Sequence, residues 1–187
     1  MNIPNTITLA RILLIPVFVL VFYLPFGWSY VLSAAIFTVA SVTDWLDGYL
    51  ARKLDQGTPF GAFLDPVADK LMVAVALALL IERYQQWWFT LPAVIIIGRE
   101  IVISALREWM AELGERTSVS VSYVGKVITV FQMLAIILML TAIPDTSGLL
   151  LNAGIVMLYV AVALTLWSMV IYIKAALPSM NISGDKE

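Results

Sequence analysis

Cysteine and histidine are both absent from the 187 residues. Without cysteine there is no disulfide framework, no thiolate nucleophile and no zinc–thiolate site. Without histidine the commonest general base is missing, and with it the usual imidazole ligand for zinc, copper and iron. Charge is scarce as well. Only 13% of the residues are Asp, Glu, Lys or Arg, against about 25% in a soluble domain. The net charge of -2 leaves no basic footprint, so no nucleic-acid partner is expected. Any acid–base or metal chemistry must run on carboxylates, whose hard oxygens favour magnesium, manganese or calcium.

Apolar residues fill the space that these absences leave: 61% of the chain is hydrophobic, with a mean hydropathy of +0.95. Six stretches, roughly 6–25, 29–51, 61–81, 88–111, 120–142 and 149–174, are each long enough to cross a bilayer core. Pro25 with Gly27, Pro59, residues 82–86, Gly114, and Pro144 with Gly148 punctuate them. The reading is an all-α integral membrane protein, a bundle of six transmembrane helices over 1–176 with a polar tail at 177–187. The opening segment "MNIPNTITLARILLIPVFVL" has neither a basic leader nor a small-residue cleavage site, and reads as a retained first span. An even number of spans puts both termini on one side. Arg52, Lys53, Arg116, Lys174 and Lys186 lie on that side, whereas the opposite connections hold only Arg83. The positive-inside rule therefore places the termini and the 52–60 connection in the cytoplasm. Trp28, Trp87 and Trp88 read as interfacial anchors.

Within this apolar chain, "TDWLDGYLARKLDQGTPFGAFLDPVADKL" concentrates acid at one place. Asp44 and Asp47 are three residues apart near the end of the second span, and Asp65 and Asp69 are four apart near the start of the third. Both spacings stack side chains on one helix face. A helical hairpin then brings four carboxylates together at the cytoplasmic surface, in a polar cavity. Such a cluster repels itself unless cations neutralise it, and intramembrane acids mark functional sites. Two divalent cations would suit it, an arrangement that supports displacement at phosphorus. Gly48 and Gly61 remove side chains where a ligand could approach the backbone. Asp55, in the connection, reads as surface charge.

The pattern Asp44-x-x-Asp47-Gly48-x-x-Ala51-Arg52, eight residues, then Gly61-x-x-x-Asp65-x-x-x-Asp69 resembles the signature of the CDP-alcohol phosphatidyltransferases. By average residue usage a chance match at a given start is rarer than about one in 10⁹, so coincidence does not explain it. The resemblance extends to "PNTITLARILLIP" and to "GREIVISALREWMAELG" at 98–114. It implies a bacterial inner-membrane enzyme, multi-pass, whose two Mg2+ or Mn2+ ions are held by Asp44, Asp47, Asp65 and Asp69. It also implies transfer of a phosphatidyl group from CDP-diacylglycerol to glycerol 3-phosphate with release of CMP, Asp69 taking the acceptor's proton. Asn5, Thr8, Gly48, Ala51, Arg52, Thr58 and Gly61 are the implied contacts to the CDP-lipid.

A glycerol 3-phosphate acceptor needs cations for its phosphate. Arg99 and Lys126 would lie about 13 Å and about 9 Å beneath the cytoplasmic face, and Arg107, nearer the surface, could join them. The competing reading pairs Arg99 with Glu100 and lets Lys126 snorkel to the interface. Related synthases often carry Gly-Lys-x-Lys-Thr here, whereas this chain reads Gly125-Lys126-Val127-Ile128-Thr129, a less cationic pocket. Inositol phosphate, serine and phosphatidylglycerol are the alternative acceptors. A divalent-cation transporter is the alternative of a different class, disfavoured because the acids crowd at one face. Gly98 and Gly154 read as sites of close helix approach, and a homodimer and membrane lipids join the expected partners.

Overall fold

The computed structural model describes residues 3–54, 59–112, 123–143 and 148–182. Within these helices the side chains of 3–5, 45–54, 59–60, 62–63, 65, 107, 111–112, 123–124 and 175–182 are outside the described set. Among the described residues six helices fall on the six apolar stretches: α1 (Ile3–Phe22), α2 (Ser29–Leu54), α3 (Pro59–Tyr84), α4 (Trp87–Glu112), α5 (Tyr123–Thr141) and α6 (Gly148–Ile182). Among the described residues there is no strand. The helices outrun some of the apolar runs. At the end of α2, Arg52 and Lys53 stop the hydrophobic run but are good helix formers, so the helix continues. Ala175, Ala176 and Leu177 likewise carry α6 to Ile182, into the segment read as a tail.

The helix ends meet in a consistent way. Arg11 of α1 pairs with Asp44 of α2, and Tyr23, just past α1, pairs with Glu82 of α3. Arg83 and Tyr84 at the end of α3 donate to the carbonyls of Leu140 and Met139 at the end of α5, at 3.2 and 2.9 Å. Successive helices therefore run in opposite directions. One end of the bundle gathers the starts of α1, α3 and α5 with the ends of α2 and α4.

Between them lies a core of Phe18, Phe37, Leu77, Leu80, Phe89, Ile136 and Met139, all fully buried. A smaller cluster of Ile103, Met110 and Tyr172 joins α4 to α6. Gly154 lets α6 approach α5 closely, since a Cβ there would stand 2.6 Å from Met139 Cγ. At Gly98 a Cβ would meet nothing within 4 Å among the described residues.

The outer faces are as apolar as the core. Leu13, Leu20, Ile101, Leu149 and Val156 are all more than 60% exposed, the mark of a surface that meets lipid. Trp87–Met110 and Gly148–Lys174 are long and apolar enough to cross a membrane. Their apolar windows are only 33% and 28% buried by the chain itself, so they are not interior helices of a soluble domain. The segments Thr6–Phe22, Ser29–Asp44 and Gly125–Thr141 are apolar but shorter. In α2 and α3 the aspartates interrupt the run.

Backbone polar groups inside such a bundle need partners from the protein. Pro92 in α4 has no N–H, so the Trp88 carbonyl one turn earlier loses its helical donor. The Tyr159 hydroxyl of α6 donates to that carbonyl at 2.9 Å and replaces the missing bond. Thr38 and Ser41 turn their hydroxyls onto the Ala34 and Phe37 carbonyls within α2, at 2.7 and 2.8 Å.

Candidate active site

Arg11, Asp44 and Asp69 gather where α1, α2 and α3 meet. Arg11 is the only charged residue of α1, and its side chain is 1% exposed. Its guanidinium donates to Asp44 Oδ1, and the Asp44 side chain remains one-third open to solvent. Asp69, one turn into the polar part of α3, sits between two crevices. One is walled by Arg11, Phe37, Ser41, Met72 and Met133. The other, about 30 Å³, is walled by Lys70, Glu100, Thr129 and Gln132, which is room for one or two waters.

Asp69 therefore feels like charges from Asp44 and Glu100 and opposite charges from Arg11 and Lys70. Lys70 donates to the Ser104 hydroxyl of α4. Arg99, 7% exposed, donates to Glu100 Oε1 at 2.7 Å and, at 3.4 Å, to Ser168 Oγ of α6. Ser168 passes the bond on to the Thr165 carbonyl at 3.0 Å. Asp44, Asp69 and Glu100 are thus matched in formal charge by Arg11, Lys70 and Arg99, and Asp47 and Asp65 add two further negative charges to the same hairpin.

Of the four aspartates, Asp44 and Asp69 have described side chains, and they lie close enough for their charges to interact. The side chains of Asp47, Gly48, Ala51, Arg52, Asp65 and Arg107, and that of Asn5, lie outside the described residues, as does Thr58 altogether. Asp47 follows Asp44 by three positions in α2, and Asp65 precedes Asp69 by four in α3. Thr8 and Gly61 are buried near Arg11 and Asp69 in sequence, each on the helix that carries it. Arg99 takes the pairing with Glu100 that competed with its role as a free phosphate ligand. Lys126 is exposed and borders a groove with Val127, Val130 and Phe131. Ile128, where the resemblance led to an expected lysine, is buried with 1% exposure.

Sequence reading passed over Arg11, Lys70, Ser104, Gln132 and Ser168, and took Glu100 only as a partner for Arg99. Arg11 had a usable signal, a lone cation in an apolar span. Gln132, 4% exposed in the middle of α5, is a similar case.

Among the described residues no three acids converge on one point. The donor set nevertheless fits a hard divalent cation. It is all carboxylate oxygen, with pairs at i, i+3 on α2 and i, i+4 on α3 at adjoining helix ends, and no imidazole or thiolate competes.

The comparisons with known proteins converge on one group. The family model for CDP-alcohol phosphatidyltransferase matches residues 1–167. A Pseudomonas fluorescens protein named CDP-diacylglycerol–glycerol-3-phosphate 3-phosphatidyltransferase is 56% identical over 188 residues, covering 100% of this chain and 96% of its own length. Proteins of the same name from Escherichia coli (strain K12) and Sodalis glossinidius (strain morsitans) are both 58% identical over 94% of this chain, and 94% and 95% of their own lengths are covered. With a family match over residues 1–167 and likeness running almost end to end, the chain belongs to the CDP-alcohol phosphatidyltransferase family.

Proposed function

We propose that the chain transfers the phosphatidyl group of CDP-diacylglycerol to a hydroxyl of sn-glycerol 3-phosphate, giving phosphatidylglycerol phosphate and CMP. The observation that carries this reading is the hairpin site itself, Asp69 in a crevice beside Asp44 and Glu100, in a chain over half identical to proteins named for that reaction. The acceptor hydroxyl oxygen attacks the lipid-side phosphorus of the pyrophosphate. As the new P–O bond forms, the bond to the bridging oxygen breaks and CMP leaves with that oxygen. Asp69 takes the hydroxyl proton, a general-base role worth about 10²–10⁴-fold in rate.

The family depends in general on a divalent metal. In this chain Asp44, Asp47, Asp65 and Asp69 are the residues to hold two such ions, Mg2+ or Mn2+. When bound, these would offset the charge that builds on the phosphoryl oxygens and on the leaving CMP. Arg11 orients Asp44 from the buried side and limits the self-repulsion of the cluster. Asn5, Thr8, Gly48, Ala51, Arg52, Thr58 and Gly61 are assigned to the CDP-lipid, where the planar fork of Arg52 suits a pyrophosphate. Arg99, Arg107 and Lys126 are assigned to the acceptor phosphate. Arg99 has the best support, because its partner Glu100 walls the Asp69 crevice.

All six helices span the bacterial inner membrane as one domain over 1–176, with both termini and the site at the cytoplasmic face, and the enzyme works among membrane lipids, as a homodimer. The lysine and arginine asymmetry of the connections supports that orientation. An acceptor panel at fixed CDP-diacylglycerol tests the assignment. Purified protein with magnesium is expected to release CMP with glycerol 3-phosphate and not with inositol phosphate, serine or phosphatidylglycerol. Faster release with any of those three would replace the acceptor while keeping the reaction class.

A further inference from the structure

At the end of the bundle opposite Asp44 and Asp69, a cavity of about 420 Å³ opens between the α1–α2 connection, the start of α2 and the end of α3. That volume falls within the range of small-ligand pockets. Arg83 supplies its cation. The guanidinium carbon stands 3.9 Å from the centroid of the Phe22 ring and 4.5 Å from that of Tyr30. One of its nitrogens donates to the Leu140 carbonyl, and among the described residues no carboxylate pairs with it. Glu82, the adjacent residue, instead accepts from the Tyr23 hydroxyl. The first turn of α2 lines the same cavity through Ser29, whose amide donates to the Phe26 carbonyl at 3.0 Å, and Tyr30, and a helix start carries partial positive charge.

Arg83 lines the cavity with the Leu140 carbonyl as its acceptor and no carboxylate among the described residues, so its remaining donors suit an anion there. Arg83 and the start of α2 match a phosphate. Glu82 repels a bare phosphate but matches an ammonium, and the surrounding rings favour a cation as well. One group carrying phosphate and ammonium a few bonds apart satisfies both halves of the wall. Phe26 and Trp28, half exposed, stack at 5.5 Å beside the cavity. Aromatic residues of this kind sit at headgroup level.

We propose that this cavity binds the phosphoethanolamine headgroup of a zwitterionic phospholipid, its phosphate on Arg83 and its ammonium on Glu82, on the face opposite the transferase site. The inference requires only that the chain lies in a membrane and does not depend on which acceptor the enzyme uses.

Native mass spectrometry of the full chain in micelles tests it, with phosphatidylethanolamine, phosphatidylglycerol and soluble phosphoethanolamine as probes. Wild-type protein is expected to retain one phosphatidylethanolamine in preference to phosphatidylglycerol. Loss of a charge-assisted hydrogen bond corresponds to about ten- to hundredfold in affinity. Arg83→Gln is expected to weaken both lipids by that factor, and Glu82→Gln to abolish the preference between them. The ring contacts of Arg83 put the fold of its variant at risk, whereas Glu82 is exposed and its variant keeps the test decisive. Equal retention of phosphatidylethanolamine by wild type and Glu82→Gln would overturn the proposal. So would displacement of the lipid by soluble phosphoethanolamine at similar concentration, which would make the ligand a free phosphoester. CMP release by the same preparations, expected to be unchanged in Glu82→Gln, separates failure of this site from failure of the transferase reading.

Discussion

Arg11 shows what a single charge does inside this bundle. Its guanidinium is buried in an otherwise uncharged helix and meets a carboxylate thirty-three positions further along the chain. Removing one partner of a buried pair costs about 3–5 kcal/mol, but Asp44 is 34% exposed and can be rehydrated. Arg11→Gln is therefore expected to lower unfolding stability in micelles by about 2 kcal/mol, with Arg11→Lys recovering part of the loss. Equal stability of wild type and Arg11→Gln would mean that the pair does not hold α1 to α2. At this scale the sequence was informative where chemistry is local. The i, i+3 and i, i+4 spacing of the aspartates singles out a candidate site without any knowledge of packing. The contacts of Lys70 with Ser104 and of Arg99 with Ser168 depend on which faces of α3, α4 and α6 meet. Helices that are apolar on every side carry little periodic signal to say so.

Helix existence was legible for the same reason that helix facing was not. Long apolar runs bounded by Pro, Gly and charge mark six helices, and the boundaries moved only where good helix formers follow the apolar run, as at Arg52–Lys53 and Ala175–Leu177. Prolines inside helices were the hidden feature. Pro16, Pro66 and Pro92 all lie within helices, and the repair at Pro92 comes from Tyr159, in a helix two further along the chain. Tyr159→Phe should then cost about 1 kcal/mol of stability. In a Pro92→Ala background, where the Trp88 carbonyl regains a backbone donor, the same change should cost less. A double-mutant cycle with no coupling between the two positions would contradict the assigned repair.

Taken whole, the molecule separates two polar sites along its helices. Carboxylates and their counter-cations occupy the end formed by the starts of α1 and α3, while Arg83, Glu82 and Tyr23 occupy the other, with an apolar core of Phe18, Phe37 and Leu77 between. Asp44, Asp69 and Glu100 at one end suit chemistry at a membrane face better than passage through it, and the near full-length likeness to transferases removes the ion-transporter alternative. The central claim is that the hairpin "TDWLDGYLARKLDQGTPFGAFLDPVADKL" is the catalytic centre and Asp69 its base. The most direct measurement compares CMP release from CDP-diacylglycerol and glycerol 3-phosphate by purified wild type and Asp69→Asn, with CDP-diacylglycerol binding measured on the same samples. Asparagine cannot accept the proton, so the rate is expected to fall by about 10²–10⁴-fold with lipid binding retained. An Asp69→Asn enzyme that releases CMP at the wild-type rate would contradict the account.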